Sequence, residues 1–200
     1  MKGGAAAATF ALAALAAACS AKPDAATAPS GVVSARPAGS SSAALAASDL
    51  AVRAARSADS RYKRAAGEDD ADRARLANQV GAEELVSALD DGGDVSKAAL
   101  ASIPFAPDAD LALGPLAARL AAKPSERRAL LEAIDAVGAR PRDQRDPLDP
   151  EGARACFAAL ASIARDAKAP ADERALAAGA ARALAERGYA RVEDVPVIGP

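Results

Sequence analysis

Alanine is the residue that most constrains how this chain can fold, because it makes up about three residues in ten. Alanine is the best helix former, and its small side chain lets helices approach closely while burying little apolar area. Aromatic residues make up only 2% of the chain. No stretch alternates apolar and polar residues over the length of a strand. The 200 residues therefore predict an all-α fold of ordinary domain size.

Apolar residues recur at three- and four-residue spacing along the chain from residue 45 onward. Helix start and stop signals divide this pattern: Pro124 and Pro170 each open a predicted helix, which Gly138 and Gly188 respectively end. The predicted helices lie within residues 45–58, 69–80, 82–90, 95–103, 110–122, 124–138, 150–163 and 170–188.

Two aspartates are predicted to cap helices. Asp94 follows a Gly-Gly pair and precedes an apolar periodic run, which is typical of an N-cap. Asp149 precedes Pro150 and Glu151, which combines an N-cap, a proline at the first helical position and an acid in the first turn.

The N-terminus carries an apolar run over residues 5–18 that is too short to span a bilayer comfortably. Small residues lead from this run into Cys19, and the composition then turns to Ser, Ala, Pro and Gly. This segment resembles a bacterial lipoprotein signal, although such signals prefer Leu at the position that Ala16 occupies. The resemblance implies that residues 1–18 are removed and that Cys19 becomes a lipidated first residue. The alternative is an ordinary secretory signal cleaved after small residues within 16–18.

Residues 19–44 contain too few large apolar side chains to offset the entropy of ordering, and we interpret them as a flexible tether. Ser20 after the Cys favours, by the same resemblance, the outer membrane. The predicted location is the bacterial cell envelope, with the chain anchored by lipid and facing the periplasm.

A heptapeptide of the chain occurs twice in related form. Residues 124–130 (PSERRAL) match residues 170–176 (PADERAL), and each copy follows an amphipathic helix and a short polar break. This pattern resembles HEAT repeats over residues 81–190 and implies a short right-handed solenoid of helical hairpins. Residues 45–80 would form an N-terminal helical segment that caps it, and 191–200 a C-terminal tail. An irregular helical bundle is the alternative, while the spacing and aromatic positions of tetratricopeptide repeats are missing.

The chemistry of the sequence argues against catalysis. Histidine is absent, which removes the usual general base and the commonest metal ligand, and no phosphate-binding glycine motif occurs. Cys156 lies on an apolar helical stripe, and we predict that it packs in the core. The formal charge of −2 gives no basic footprint for nucleic acid. We expect neither cofactor nor enzyme activity; a reaction run by carboxylates such as those of 143–149 is a minor alternative.

Because the sequence argues against catalysis and nucleic-acid binding, we predict a scaffold that binds a protein partner. The residues we would examine first are arginines on helices and in the polar loop 140–150, where binding contacts often sit; they are Arg127, Arg128, Arg142, Arg145 and Arg174. The alternative from another class is a structural subunit that works only within an envelope assembly.

Overall fold

The computed structural model describes residues 40–141 and 148–197, with side chains from residue 46 onward. All regular elements in this part are helical, so the predicted all-α class is confirmed. The α-helices are α1 (Ser40–Ala58), α2 (Ser60–Ala65), α3 (Asp70–Ala88), α4 (Gly93–Ser102), α5 (Leu113–Ala122), α6 (Arg127–Gly138), α7 (Pro150–Arg165) and α8 (Ala171–Glu186). Short 3-10 turns cover Ile103–Phe105, Ala109–Ala112, Pro124–Glu126 and Val192–Asp194.

Several sequence predictions fall outside the described residues. They are the signal peptide 1–18, Cys19, most of the tether, Arg142 and Arg145. Residues 40–44, which we expected to belong to the tether, already form the start of α1. Three serines there precede an Ala-Leu run, and serine is readily accommodated at a helix start.

The predicted start of α7 and the predicted C-terminal end of α8 are both confirmed at the atomic level. The Asp149 carboxylate accepts a hydrogen bond of 2.8 Å from the Gly152 amide, and Pro150 occupies the first helical position. At the end of α8, Gly188 adopts a φ of 87°, and its amide donates to the Ala185 carbonyl. The Tyr189 amide reaches back to the Leu184 carbonyl at 3.0 Å, which completes a Schellman motif.

The predicted cap at Asp94 is wrong. α4 begins two residues before the predicted start at Val95, at Gly93, and Gly92 is its N-cap residue without any side-chain hydrogen bond. Asp94 lies in the first helical turn instead, where its negative charge still complements the helix dipole. The Gly-Gly pair moves the start of the helix because glycine adopts the cap conformation readily.

Gly81 interrupts α3, between the helices predicted at 69–80 and 82–90. Its φ of 78° and ψ of 171° lie in a region that only glycine occupies easily. The helix resumes directly afterwards, because the Asp108 carboxylate accepts a hydrogen bond of 3.0 Å from the Ala82 amide. A residue 26 positions away in sequence therefore caps the second half of α3.

The helices from α5 to α8 pack against one another. α5 packs on α7, α6 packs on α8, and α7 packs on α8. Small residues permit these contacts: a Cβ added to Gly138 would lie 2.7 Å from the Ala183 Cβ, and one added to Gly114 would lie 3.1 Å from the Gly152 Cα. Upstream, α3 packs on α2 and α4.

The core runs continuously from α2 to α8 and is built of alanine and leucine, with few larger residues. Tyr62 is the aromatic side chain that is buried in the described part, whereas Phe105, Phe157 and Tyr189 lie at the edge of the core. In α1, by contrast, residues 46–55 are exposed. Arg56 holds the helix to α3 and to the turn after it, because it donates to Glu84, Ser87 and Asp91.

Within the described ranges, no helix combines the length and the apolar character that crossing a bilayer requires.

Candidate partner-binding groove

The predicted binding arginines of α6 face acidic residues of α8 across the packed helix pair. Arg127 lies 3.3 Å from a Glu173 carboxylate oxygen, and Arg128 lies 3.1 Å from one of Asp172. We expected Arg127, Arg128 and Arg174 to be exposed, but Arg127 and Arg174 are half-buried and only Arg128 is open to solvent. Arg127 and Arg128 therefore tie α6 to α8, whereas the half-buried Arg174 has a buried Nε without a hydrogen-bond partner in the described structure.

This arrangement has an electrostatic reason. Two cations, Arg127 and Arg128, occupy the first turn of α6, where the helix dipole already carries positive partial charge. The first turn of α8 brings two acids, Asp172 and Glu173, beside them. The acids offset the unfavourable charge at the start of α6 and gain the ion pairs at the same time.

A large groove opens on the other side of α6, where it faces α4. The two helices touch only weakly, and the open space between them measures about 840 Å³. The start and end of α3, the turn Ile103–Phe105 and the end of α5 complete its walls. The groove is thus formed by elements from residue 70 to residue 136.

The floor of the groove is apolar. Leu89 is buried, and Leu100 and Phe105 are half-buried with one side packed on the core. The α6 wall is lined by small side chains, of which Ala129 is exposed, Ala136 is half-buried and Ala133 is buried. Such a floor offers apolar area to a ligand without a deep cavity around it.

The acidic side chains that line the groove are already paired with arginine. Arg119 donates to Asp90 at 2.7 Å and to Glu126 at 3.1 Å, and it also bonds the Leu89 carbonyl. Asp70 is paired with Arg73, and Glu132 with Arg128. Each of these four carboxylates thus has an arginine at ion-pair distance, although Arg119 is one positive charge shared by two of them.

Lys97 on α4 and Lys123 after α5 also line the groove, and both are exposed. Neither ammonium group has a hydrogen bond or ion pair to another described residue. The two lysines are consequently the charged groups that the groove presents to a ligand without first breaking an ion pair. Sequence reasoning did not select them; the one available signal was the rarity of lysine beside arginine in this chain.

Two titratable side chains whose pKa is raised by burial lie away from this groove. Cys156 is buried, as predicted, and burial raises the pKa of its thiol to about 12. Burial also raises the pKa of the Asp135 carboxyl, which does not line the groove. A protonated, inaccessible thiol is a poor nucleophile.

A comparison of the chain with models of known protein families, with curated proteins and with solved structures finds no match.

Proposed function

We propose that this chain is a lipid-anchored protein of the bacterial cell envelope that binds another protein through a helical-repeat scaffold, without catalysis. The observation that carries the proposal is the groove between α4 and α6, which combines an apolar floor with a charged rim. Protein-binding surfaces commonly have this composition, with apolar anchors at the centre and polar groups around them.

A HEAT-like stack is the architecture we propose for α5 to α8. Arg127 and Glu173 occupy equivalent places in the two related heptapeptides, 46 residues apart, and they pair directly. The same register places α5 on α7 and α6 on α8. In a solenoid each repeat packs on its neighbour through equivalent positions, so this in-register contact supports the proposal.

The anchor is proposed from the sequence around Cys19. Burying acyl chains in a bilayer contributes about 0.8 kcal/mol per CH₂ group, so a cysteine that carries two or three chains would hold the protein firmly. The proposed tether after Cys19 would let the helical domain reach a partner at some distance from the membrane.

Site-specific photo-cross-linking in the native cell tests the binding role. A photoreactive residue at Ala129, exposed on the groove wall, should capture a defined protein. The matched control is Ala175, which is exposed at the equivalent position of the second repeat but does not line the groove. Equal capture from both positions, or none from Ala129, would contradict the proposal. Repeating the experiment with Cys19→Ser shows whether lipidation is needed for the contact.

A structural subunit of an envelope assembly is the second candidate. It is favoured by α1, where Leu50 and Val52 are 68% and 45% exposed on a helix that is anchored mainly by Arg56. Cross-links from Leu50 to several chains of one large complex would support it. Capture of a single protein from Ala129 alone would favour the scaffold.

A further inference from the structure

We propose that the groove between α4 and α6 binds an acidic amphipathic helix of the partner protein. This inference rests on the proposed binding function and names the chemistry of the segment that occupies the site. It is drawn from the shape of the groove, its apolar floor and the charges that remain unpaired around it.

The walls of the groove favour a helix as the occupant. They are α4 and α6, of 10 and 12 residues, which corresponds to about three turns each. On α6, the residues that face the groove follow helical spacing and are small at Ala129, Ala133 and Ala136. A third helix can approach such a surface closely, in the same way that α8 approaches the opposite side of α6 at Gly138.

The floor indicates where the helix makes its apolar contacts. Leu100 and Phe105 each keep part of their side chain accessible while the rest packs on the core. An amphipathic helix presents apolar side chains at positions i, i+3 or i+4, and i+7, and three turns hold one such set. The occupant is therefore expected to place two or three apolar side chains on this floor.

The charged side chains around the groove determine which charge the polar residues of the bound helix should carry. The lining carries four carboxylates and four cations, so the groove has no net charge, but each carboxylate already has an arginine at ion-pair distance. Lys97 and Lys123 stand open on the rim and gain partners only from the ligand. A basic helix would meet two unpaired ammonium groups, and like charges in an interface are unfavourable.

Selection from a peptide display library tests the inference on the full chain carrying Cys19→Ser. The peptides have about 12 residues, the length of α6, with apolar residues at helical spacing and Glu, Lys or Gln allowed at each flanking position. We expect the enriched peptides to contain an excess of Glu over Lys. Enrichment of basic or neutral peptides, or no enrichment, would overturn the inference.

Charge variants then locate the binding. The double variant Lys97→Glu/Lys123→Glu should weaken binding of the enriched peptides about tenfold, and the milder Lys97→Gln/Lys123→Gln about threefold. Lys168→Glu, an exposed lysine outside the groove, should leave affinity within about twofold. All three sites are on the surface, so folding should be unaffected. Equal losses in the double variant and in Lys168→Glu would refute the groove as the site.

The outcome is separable from that of the proposed function. If Ala129 captures a protein in cells but the selected peptides are basic, the scaffold stands and the assigned chemistry is wrong. If acidic helices bind the groove but Ala129 captures nothing in cells, the groove has the inferred preference and the proposed cellular role fails.

Discussion

Gly138→Ala should destabilise this protein, although a glycine-to-alanine change in a helix normally stabilises it. The normal gain is at most about 1 kcal/mol, since alanine loses less backbone entropy on folding. At Gly138 the new Cβ would lie 2.7 Å from the Ala183 Cβ and 3.2 Å from the Ala183 carbonyl carbon. Neither neighbour can rotate away, so α6 and α8 must separate.

Overpacking of this kind costs about 1–3 kcal/mol. Set against the propensity gain, the net loss in the free energy of unfolding should be about 1–2 kcal/mol. For a domain of this size that corresponds to a fall of about 3–6 °C in Tm. Urea unfolding of the full chain, followed by circular dichroism at the helical minimum, measures it.

Gly179→Ala is the matched control, because Gly179 is an exposed glycine of α8. Its added Cβ would meet only an Asp135 carboxylate oxygen, at an ordinary contact distance of 3.8 Å. This variant should gain about 0.5–1 kcal/mol. Ala183→Gly should partly rescue Gly138→Ala, giving a favourable coupling of about 1 kcal/mol in a double-mutant cycle. If Gly138→Ala is as stabilising as Gly179→Ala, the close α6–α8 packing described above is wrong.

Three further predictions concern single side chains. Arg56→Met should lower the free energy of unfolding in urea by about 3 kcal/mol, because it deprives the Asp91 carboxylate, which is 2% exposed, of its nearest cation. A loss below about 1 kcal/mol would contradict the buried ion pair. Asp149→Ala should cost about 1 kcal/mol of thermal stability through the lost N-cap, and Asp149→Asn should restore most of it, since both residues cap well. In a Cys19→Ser background, Cys156 should resist a thiol reagent until the protein unfolds. Burial raises the pKa of this thiol from 9.0 to about 12, so between pH 9.0 and about 12 only the unfolded state ionises. The free energy of unfolding should therefore fall by about 1.4 kcal/mol per pH unit in that range. Cys156→Ala should lack this contribution to the pH dependence.

The predictions that succeeded from the sequence are those whose physics is local. The alanine content and the three- to four-residue periodicity required helices, because no other element buries such a pattern. Asp149 and Gly188 mark helix ends through hydrogen bonds to residues within five positions, so their chemistry is visible in a short window. Cys156 was placed in the core because it shares an apolar stripe with its own helix neighbours.

Features that join distant segments were decided by the tertiary structure. Asp108 caps α3 at Gly81 from 26 residues away, and no window around either residue contains that information. From the sequence, Arg127 and Arg174 were predicted to be exposed on helix faces, yet the packing of α6 on α8 half-buries them. The groove likewise exists because α4 and α6 contact each other only weakly, and Lys97 and Lys123 on its rim have no partners in the described structure. Local sequence fixes which segments are helical and where many of them end, while the partners of each helix face depend on the free energy of packing the whole chain.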